Sequence, residues 1–489
     1  MCLLVACVSL PVTAVSATPG WGDNVQTERQ NQQINSNSSG SANAKESGYE
    51  KSTITRNNSS VTVSHTVVLS DVAEGTRVQF SARDPAVKQV DAGPFRKINT
   101  TNTRYSWKGE MDSEKVSLTF SYVLAENAIT VANNSNKSGT QDIFIKDYRQ
   151  FQLYSNHTIE DFSRHTSLED VGVMTTQMAY IGESSVYAVN EGGTQYSLVV
   201  PQTAADSMYA TPQRLTAKLA SSGELLSVGN YHSDVTIIAA PTTGGENEIP
   251  AIFWPGSAEG WVSAAASERT FPSAWYHEIT HAAQPYEHNP DAKWFVEGTA
   301  EYYGVVLAHE VSTYDADLQR ALSPTDQPQP TLSDQSTWRT ARVPYNDGSI
   351  VAAQLDRKIR TETNNSKTLT DLLEVVAENH SQRDPVGNED IINHTQSVAG
   401  SETSQWLAEA TTEPLTTSER SEMERQLDLT ELASEQEPPV EEPNQSDPRP
   451  PTDQDPAPQF SPDSGDDGIL TKLIELLRQL TSSSMYSTP

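Results

Sequence analysis

FPSAWYHEITHAAQPYEHNPDAKWFVEGTAEYY, residues 271–303, is the stretch on which the reading of this 489-residue chain turns. It holds His277, Glu278 and His281 in an HExxH arrangement, followed by Glu297 and Glu301 in EGTAE. On a helix, residues four apart lie one above the other on a single face. His277 and His281 can therefore aim both imidazoles at one metal ion, with Glu278 beside them toward a metal-held water. A catalytic zinc takes three protein ligands and keeps one position open, so the pair requires a partner. WFVEGTAEYYGVVLAHE (294–310) reads as a second helix with Glu297 and Glu301 again four apart. Glu297 is the expected third ligand, and Glu301 the carboxylate that fixes the tautomer of a ligand histidine. The rival HExxHxxGxxH pattern would need Gly at 284 and His at 287. The chain has Gln284 and Glu287 there, which sets His288 aside as third ligand.

HEITH followed by WFVEGTAEYYG resembles the gluzincin metallopeptidases, the thermolysin- and aminopeptidase-N-like group whose third zinc ligand is a Glu on the next helix. VPYNDGSIVAAQLDRKIR (343–360) is similar to the segment those aminopeptidases carry as PYxxG ahead of an apolar helix. The glycyl-aminopeptidase type is the nearest, with Leu355, Asp356, Ile359 and Arg360 in matching places. The resemblance covers residues 180–415 and implies a thermolysin-like catalytic domain, a mixed sheet plus helices in an α+β fold preceded by a β-domain. It implies one Zn2+ per chain and a peptide or protein substrate, with Tyr345 donating a hydrogen bond to the oxyanion. Glu278 is the expected general base, taking a proton from the water that zinc acidifies and passing it to the leaving amine. Two departures stand out. The gap from His281 to Glu297 is short for this group, and no GxMEN sequence is present. Glu259, in SAEGWVSA (257–264), is the candidate for holding a substrate's free amine, so aminopeptidase and endopeptidase action both stay open.

Upstream the period changes. SVTVSHTVVLS, TRVQFSA, TRYSWKG, VSLTFSYVL and DIFIKDY alternate or run apolar between turn residues, the pattern of half-buried strands. An antiparallel β-sandwich over 59–175 is expected, followed by the catalytic domain over 176–416. His65 is read as a solvent-facing strand residue and Trp107 as core. Strands VYAVNE, YSLVVPQ, DVTIIAAP (234–241) and IPAIFWPG (249–256) follow, with a helix around 203–223. The last strand is placed at the sheet edge along the substrate cleft, where an extended peptide can add as a further strand. Pro272 suits the first turn of the HEITH helix, and His309 a helix C-terminus. Helices are expected over 346–362, with Ile350, Val351, Leu355 and Ile359 buried, and in KTLTDLLEVVAEN, EDIINHTQSVAG and SQWLAEA.

The formal charge of −32 argues against nucleic-acid or anionic-membrane partners. With Lys scarce, the acidity fits a halophilic source, where salt screens self-repulsion. Residues 1–18 read as a secretory signal peptide, which places the protein outside the cell or at its surface. Both cysteines, Cys2 and Cys7, fall within it, so a thiolate-ligated zinc and a disulfide framework are not expected. Residues 19–58 read as a disordered linker and 417–467 as a disordered acidic, Pro-rich spacer. Residues 468–482 form an expected amphipathic helix for a partner or for self-association, and no stretch is long enough for a transmembrane span. The alternative is an extracellular binding or adhesion protein whose metal site is degenerate or structural. A structural zinc would close its fourth position with His288 or His309.

Overall fold

The alternating segments fold into strands that share one core. The structure, a computed structural model, describes residues 26–28, 48–57, 60–70, 77–82, 87–98, 104–108, 115–125, 129–133, 141–148, 151–155, 162–241, 251–268, 273–312, 330–414 and 416. The expected signal peptide, spacer, C-terminal amphipathic helix and Pro272 lie outside the described residues. One sheet runs β12 (Phe162–Leu168), β2 (Gly48–Asn57), β3 (Ser60–Ser70), β8 (Lys115–Leu124), β5 (Val87–Asp91). A second runs β11 (Phe151–Ser155), β4 (Arg77–Ala82), β7 (Arg104–Lys108), β6 (Arg96–Lys97). The third runs β13 (Gly172–Met174), β14 (Ala179–Ile181), β10 (Gln141–Ile145), β9 (Ile129–Asn133). Ile54, Val63, Phe80, Phe120, Ile143 and Ile181 meet in their common core, and Trp107 packs half-buried against it.

Three expectations change here. β2, and the short β1 (Gln26–Glu28) that pairs with β15, fall within the stretch 19–58 expected as linker. The pairing is not wholly antiparallel, because β12 lies parallel to β2. His65 is not solvent-facing: it is fully buried, its ring lying 5.2 Å from Phe120 and 5.4 Å from Tyr122 between centroids. Its Nδ1 is 2.8 Å from Ser52 Oγ and 3.3 Å from Glu50 Oε1, and its Nε2 is 3.1 Å from the Tyr122 hydroxyl. β2 thus turns Glu50 and Ser52 inward alongside Ile54. Buried polar groups persist where partners satisfy them, and a strand built this way shows no apolar alternation in its sequence.

The second half is a six-stranded mixed sheet in the order β1, β15 (Ser184–Glu191), β16 (Thr194–Pro201), β17 (Asp234–Ala240), β19 (Glu259–Ser263), β18 (Ala251–Trp254). β16, β17 and β19 are parallel, and β18 runs antiparallel along the edge. Both faces are covered. Leu198, Ile237 and Ala239 face the helices, while Val199, Ile238 and Trp261 meet Phe144 and Tyr180 of the third sheet. Burial on two sides explains why β17 reads as a continuous apolar run. The helices are α1 (Gln202–Ala205), α2 (Pro212–Leu225), α3 (Ala274–His281), α4 (Lys293–Ser312), α5 (Val343–Glu362), α6 (Leu369–Asn379) and α7 (Asn388–Thr412). α7 joins the last two expected helices across a break at Gly400, whose φ is 88°. Among the described residues, no helix is long and apolar enough to cross a membrane.

Two glycines decide how α4 meets α5. A Cβ on Gly298 would lie 2.5 Å from the Gly348 carbonyl carbon, and one on Gly348 would lie 2.8 Å from the Trp294 carbonyl oxygen. The backbones touch because neither residue has a side chain. Asp356 then fastens the bundle, accepting from Tyr302 of α4 at 2.9 Å, Arg360 Nε at 2.8 Å and the Leu369 amide at the start of α6 at 2.6 Å.

Candidate metal centre

α3 is seated by the Trp275 indole, which donates to Ala266 O at 2.9 Å, and by Tyr276 and Ile279 in the core. α4 is seated by the Trp294 indole, which donates to Asn388 Oδ1 at 2.8 Å. Between these two anchored helices the structure brings His277, His281 and Glu297 together. Their ligand atoms all lie within 4.8 Å of one another. The two Nε2 atoms are 3.2 Å apart, and Glu297 Oε2 lies 3.6 Å from that of His277 and 3.8 Å from that of His281.

Each imidazole uses its other nitrogen on an acceptor. His277 Nδ1 is 3.0 Å from Glu301 Oε2, and His281 Nδ1 is 2.6 Å from Gln284 Oε1. An N–H donated from both Nδ1 atoms leaves two Nε2 lone pairs facing each other, an arrangement that calls for a cation between them. In the sequence Gln284 serves only to exclude the HExxHxxGxxH pattern; as a partner of His281 it emerges from the structure. Gln284 lies past the C-cap of α3, so helical spacing does not single it out.

The surrounding carboxylates make the metal-free site avid for positive charge. Burial alone would depress His277, but the carboxylates of Glu297, Glu301 and Glu278 outweigh it and push the imidazole up to about 10. Burial and the charge of His277 push His281 down to about 4. Burial would raise Glu297, yet His277, His281 and Lys293 hold it down to about 2. Burial pushes Glu278 up to about 8; His277 opposes this, and Glu297 and Glu301 add to it. Tyr345, in the first turn of α5, stacks on His277 with centroids 5.8 Å apart and planes at 19°. Burial and then Glu297, Glu278 and Glu301 hold its phenol above the usual range, so it stays a donor.

Glu259 lies elsewhere. Its buried carboxylate accepts from the Thr176 amide at 2.9 Å, the Thr176 hydroxyl at 3.0 Å and the Gln177 amide at 3.2 Å. It ties β19 to the loop between β13 and β14, and no hydrogen bond of the described residues joins it to the histidine pair. His288 is half-buried, with Nδ1 3.0 Å from Asn289 O. Among the described residues the metal-capable group has three members, with neither His288 nor His309 as a fourth.

A buried histidine pair on one helix, completed by a glutamate from the next, in an α+β protein with a mixed sheet, has the make-up of a metal-binding centre. No model of a known protein family and no curated protein matches the chain. Among solved structures, it is similar to an M1 zinc metallopeptidase of Deinococcus radiodurans at 14% identity and TM-score 0.47, covering 76% of this chain and 94% of that one. A variant of an M1 zinc metallopeptidase from that organism, bound to a Tyr-Ser-Ala substrate, is similar at 13% identity and TM-score 0.48, over 76% of this chain and 95% of that one. An aminopeptidase N family protein of Idiomarina loihiensis is similar at 13% identity and TM-score 0.49, over 79% of this chain and 78% of that one.

Proposed function

We propose that the chain is a secreted zinc-dependent peptidase of the gluzincin type, hydrolysing peptide bonds with one Zn2+ held by His277, His281 and Glu297. One observation carries the reading: two imidazoles anchored through Nδ1, their Nε2 atoms 3.2 Å apart, with Glu297 Oε2 within reach of both. The donor set fits zinc, which accepts imidazole nitrogen and carboxylate oxygen and keeps an open position in catalytic sites. When bound, the ion supplies a Lewis acid and a water acidified into the neutral range.

The chain's own groups do the rest. Glu278 is buried beside the cluster, with its carboxyl pushed up to about 8 by burial and neighbouring carboxylates in the metal-free site. As a carboxylate beside the ion, it takes a proton from the attacking water and returns it to the leaving amine. Tyr345, kept protonated, donates to the developing oxyanion, a contribution of about 3 kcal/mol for such donors. Glu301 holds His277 in the tautomer that presents Nε2. β18, the edge strand of the sheet among the described residues, offers backbone groups along which an extended peptide adds as a strand. Aminopeptidase action is the narrower form of the proposal. The Glu259 carboxylate, occupied by Thr176 and Gln177, gives it no support. Export rests on the signal-like residues 1–18.

Digestion of a peptide library at high salt, with and without a chelator, tests the reading, and free against N-acetylated peptides separate exo- from endopeptidase action. Glu278→Gln should retain one zinc per chain and lose hydrolysis by a factor of about 10^2–10^4. A wild-type protein that binds zinc and cleaves nothing in the library would leave the adhesion reading in its place.

A further inference from the structure

We infer that Gln284 is the positioning residue that prepares His281 to bind a metal and sets the separation of α3 from α4. The inference rests on the metal site proposed above. Gln284 follows Ala282, the C-cap of α3, and is fully buried. The orientation of its amide follows from its partners. Nε2 lies 3.1 Å from Val296 O, which can only accept, and 2.7 Å from Thr299 Oγ1. The Thr299 hydroxyl has a carbonyl, Phe295 O, at 2.6 Å to receive its proton, so its lone pair faces the amide. Both contacts require the NH2 end of Gln284. Oε1 therefore faces His281 and must accept, which puts the proton of that imidazole on Nδ1 and its lone pair on Nε2, toward His277.

The same side chain spans the two helices. Val296 immediately precedes Glu297, and Thr299 lies within the same turn of α4. One buried amide thus touches the ring of one expected ligand and the turn that carries another, across a connection that is short for this kind of site. It also does so without charge. His277 has a carboxylate partner, Glu301, whereas His281 has a neutral one, so Glu278 and Glu297 meet no further negative charge from that side. Partners behind ligand histidines typically change metal affinity 10- to 100-fold when lost.

Gln284→Met keeps the volume and removes all three hydrogen bonds, Thr299→Val removes only the arm to α4, and Gln284→Glu keeps an acceptor for Nδ1. Zinc dissociation constants would be measured by competition with a chelator, alongside the absorption spectrum of the cobalt form and the near-ultraviolet circular dichroism and Tm of the metal-free proteins. The expected result is a 10- to 100-fold weaker zinc complex and an altered cobalt spectrum for Gln284→Met, with its metal-free fold intact. Gln284→Glu, which keeps the acceptor for Nδ1 but turns an oxygen toward Val296 O, should recover part of the affinity, and Thr299→Val should weaken binding less than Gln284→Met. A merely structural glutamine would lower the metal-free Tm and leave the dissociation constant and cobalt spectrum of the folded variant unchanged, which overturns the inference. Should Gln284→Met fail to fold, Thr299→Val decides by the same readouts. A wild-type protein that binds no zinc fails the underlying site instead, and that result is distinct from tight binding in both wild type and variant.

Discussion

Tyr345 shows what a single residue adds to the cluster. Its phenol stacks on His277 and is held in the protonated state by burial and by Glu297. Removing only the hydroxyl should leave the metal-binding set untouched, so Tyr345→Phe is expected to lower kcat by about 10^2–10^3 with little change in KM or zinc content. An equal loss in KM would assign the tyrosine to substrate binding. His232 acts at the same scale on stability. Burial pushes its imidazole down to about 4, opposed by a hydrogen bond to the backbone at Ala282, and among the described residues no partner reaches its buried Nε2. The unfolded chain binds that proton below about 6.5, so between 6.5 and 4 the unfolded state holds more protons than the folded one. Stability from this group is complete above 6.5 and drains away as pH falls toward 4. His232→Asn should flatten that part of the Tm–pH curve; an unchanged slope would remove His232 as its source.

At the scale of elements, the crossing of α4 and α5 places Tyr345 against the cluster, and Gly298 and Gly348 permit it. Gly348→Ala puts a methyl 2.8 Å from Trp294 O, so the helices must part. Overpacking of this kind costs about 1–3 kcal/mol. Denaturant unfolding should show that loss, with kcat falling as Tyr345 retreats and zinc still bound through α3 and α4. A variant of wild-type activity and stability would mean the helices tolerate the separation. The pieces of this crossing were visible in the chain as EGTAE and PYNDG, but the contact between their glycines was not, since nothing local states which helices touch. The matched pair Asp356 and Arg360 turns out to be a fastening of α4, α5 and α6. HExxH and EGTAE were legible because ligand spacing repeats with the helical turn. Gln284 was not, because its role depends on a carbonyl twelve residues away, at Val296. β2 escaped for a different reason: its inward face is Glu50, Ser52 and Ile54, and two of these three residues are polar.

Across the whole molecule, the mixed sheet is the shared wall, with helices on one face and the third β-sheet on the other. A mixed sheet with helices was legible in the chain, whereas its cover on the second face and the clamp of Glu259 on Thr176 and Gln177 needed coordinates to appear. The chain as a whole carries a formal charge of −32, with 65 acidic against 33 basic residues. At low ionic strength such a surface repels itself and favours expansion. The screening length falls from about 10 Å at 0.1 M salt to about 3 Å at 1 M, shorter than the spacing of most surface charges. Tm should therefore rise by several degrees between about 0.1 and 2 M sodium chloride, with most of the gain below 1 M. Chloride is the salt of choice because sulfate also strengthens apolar burial and would mask the cause. A rise that continues linearly beyond 1 M would point to solvent exclusion rather than screening. A flat or falling Tm would show that acidic groups are neutralised within the fold and that the charge carries no adaptation to salt.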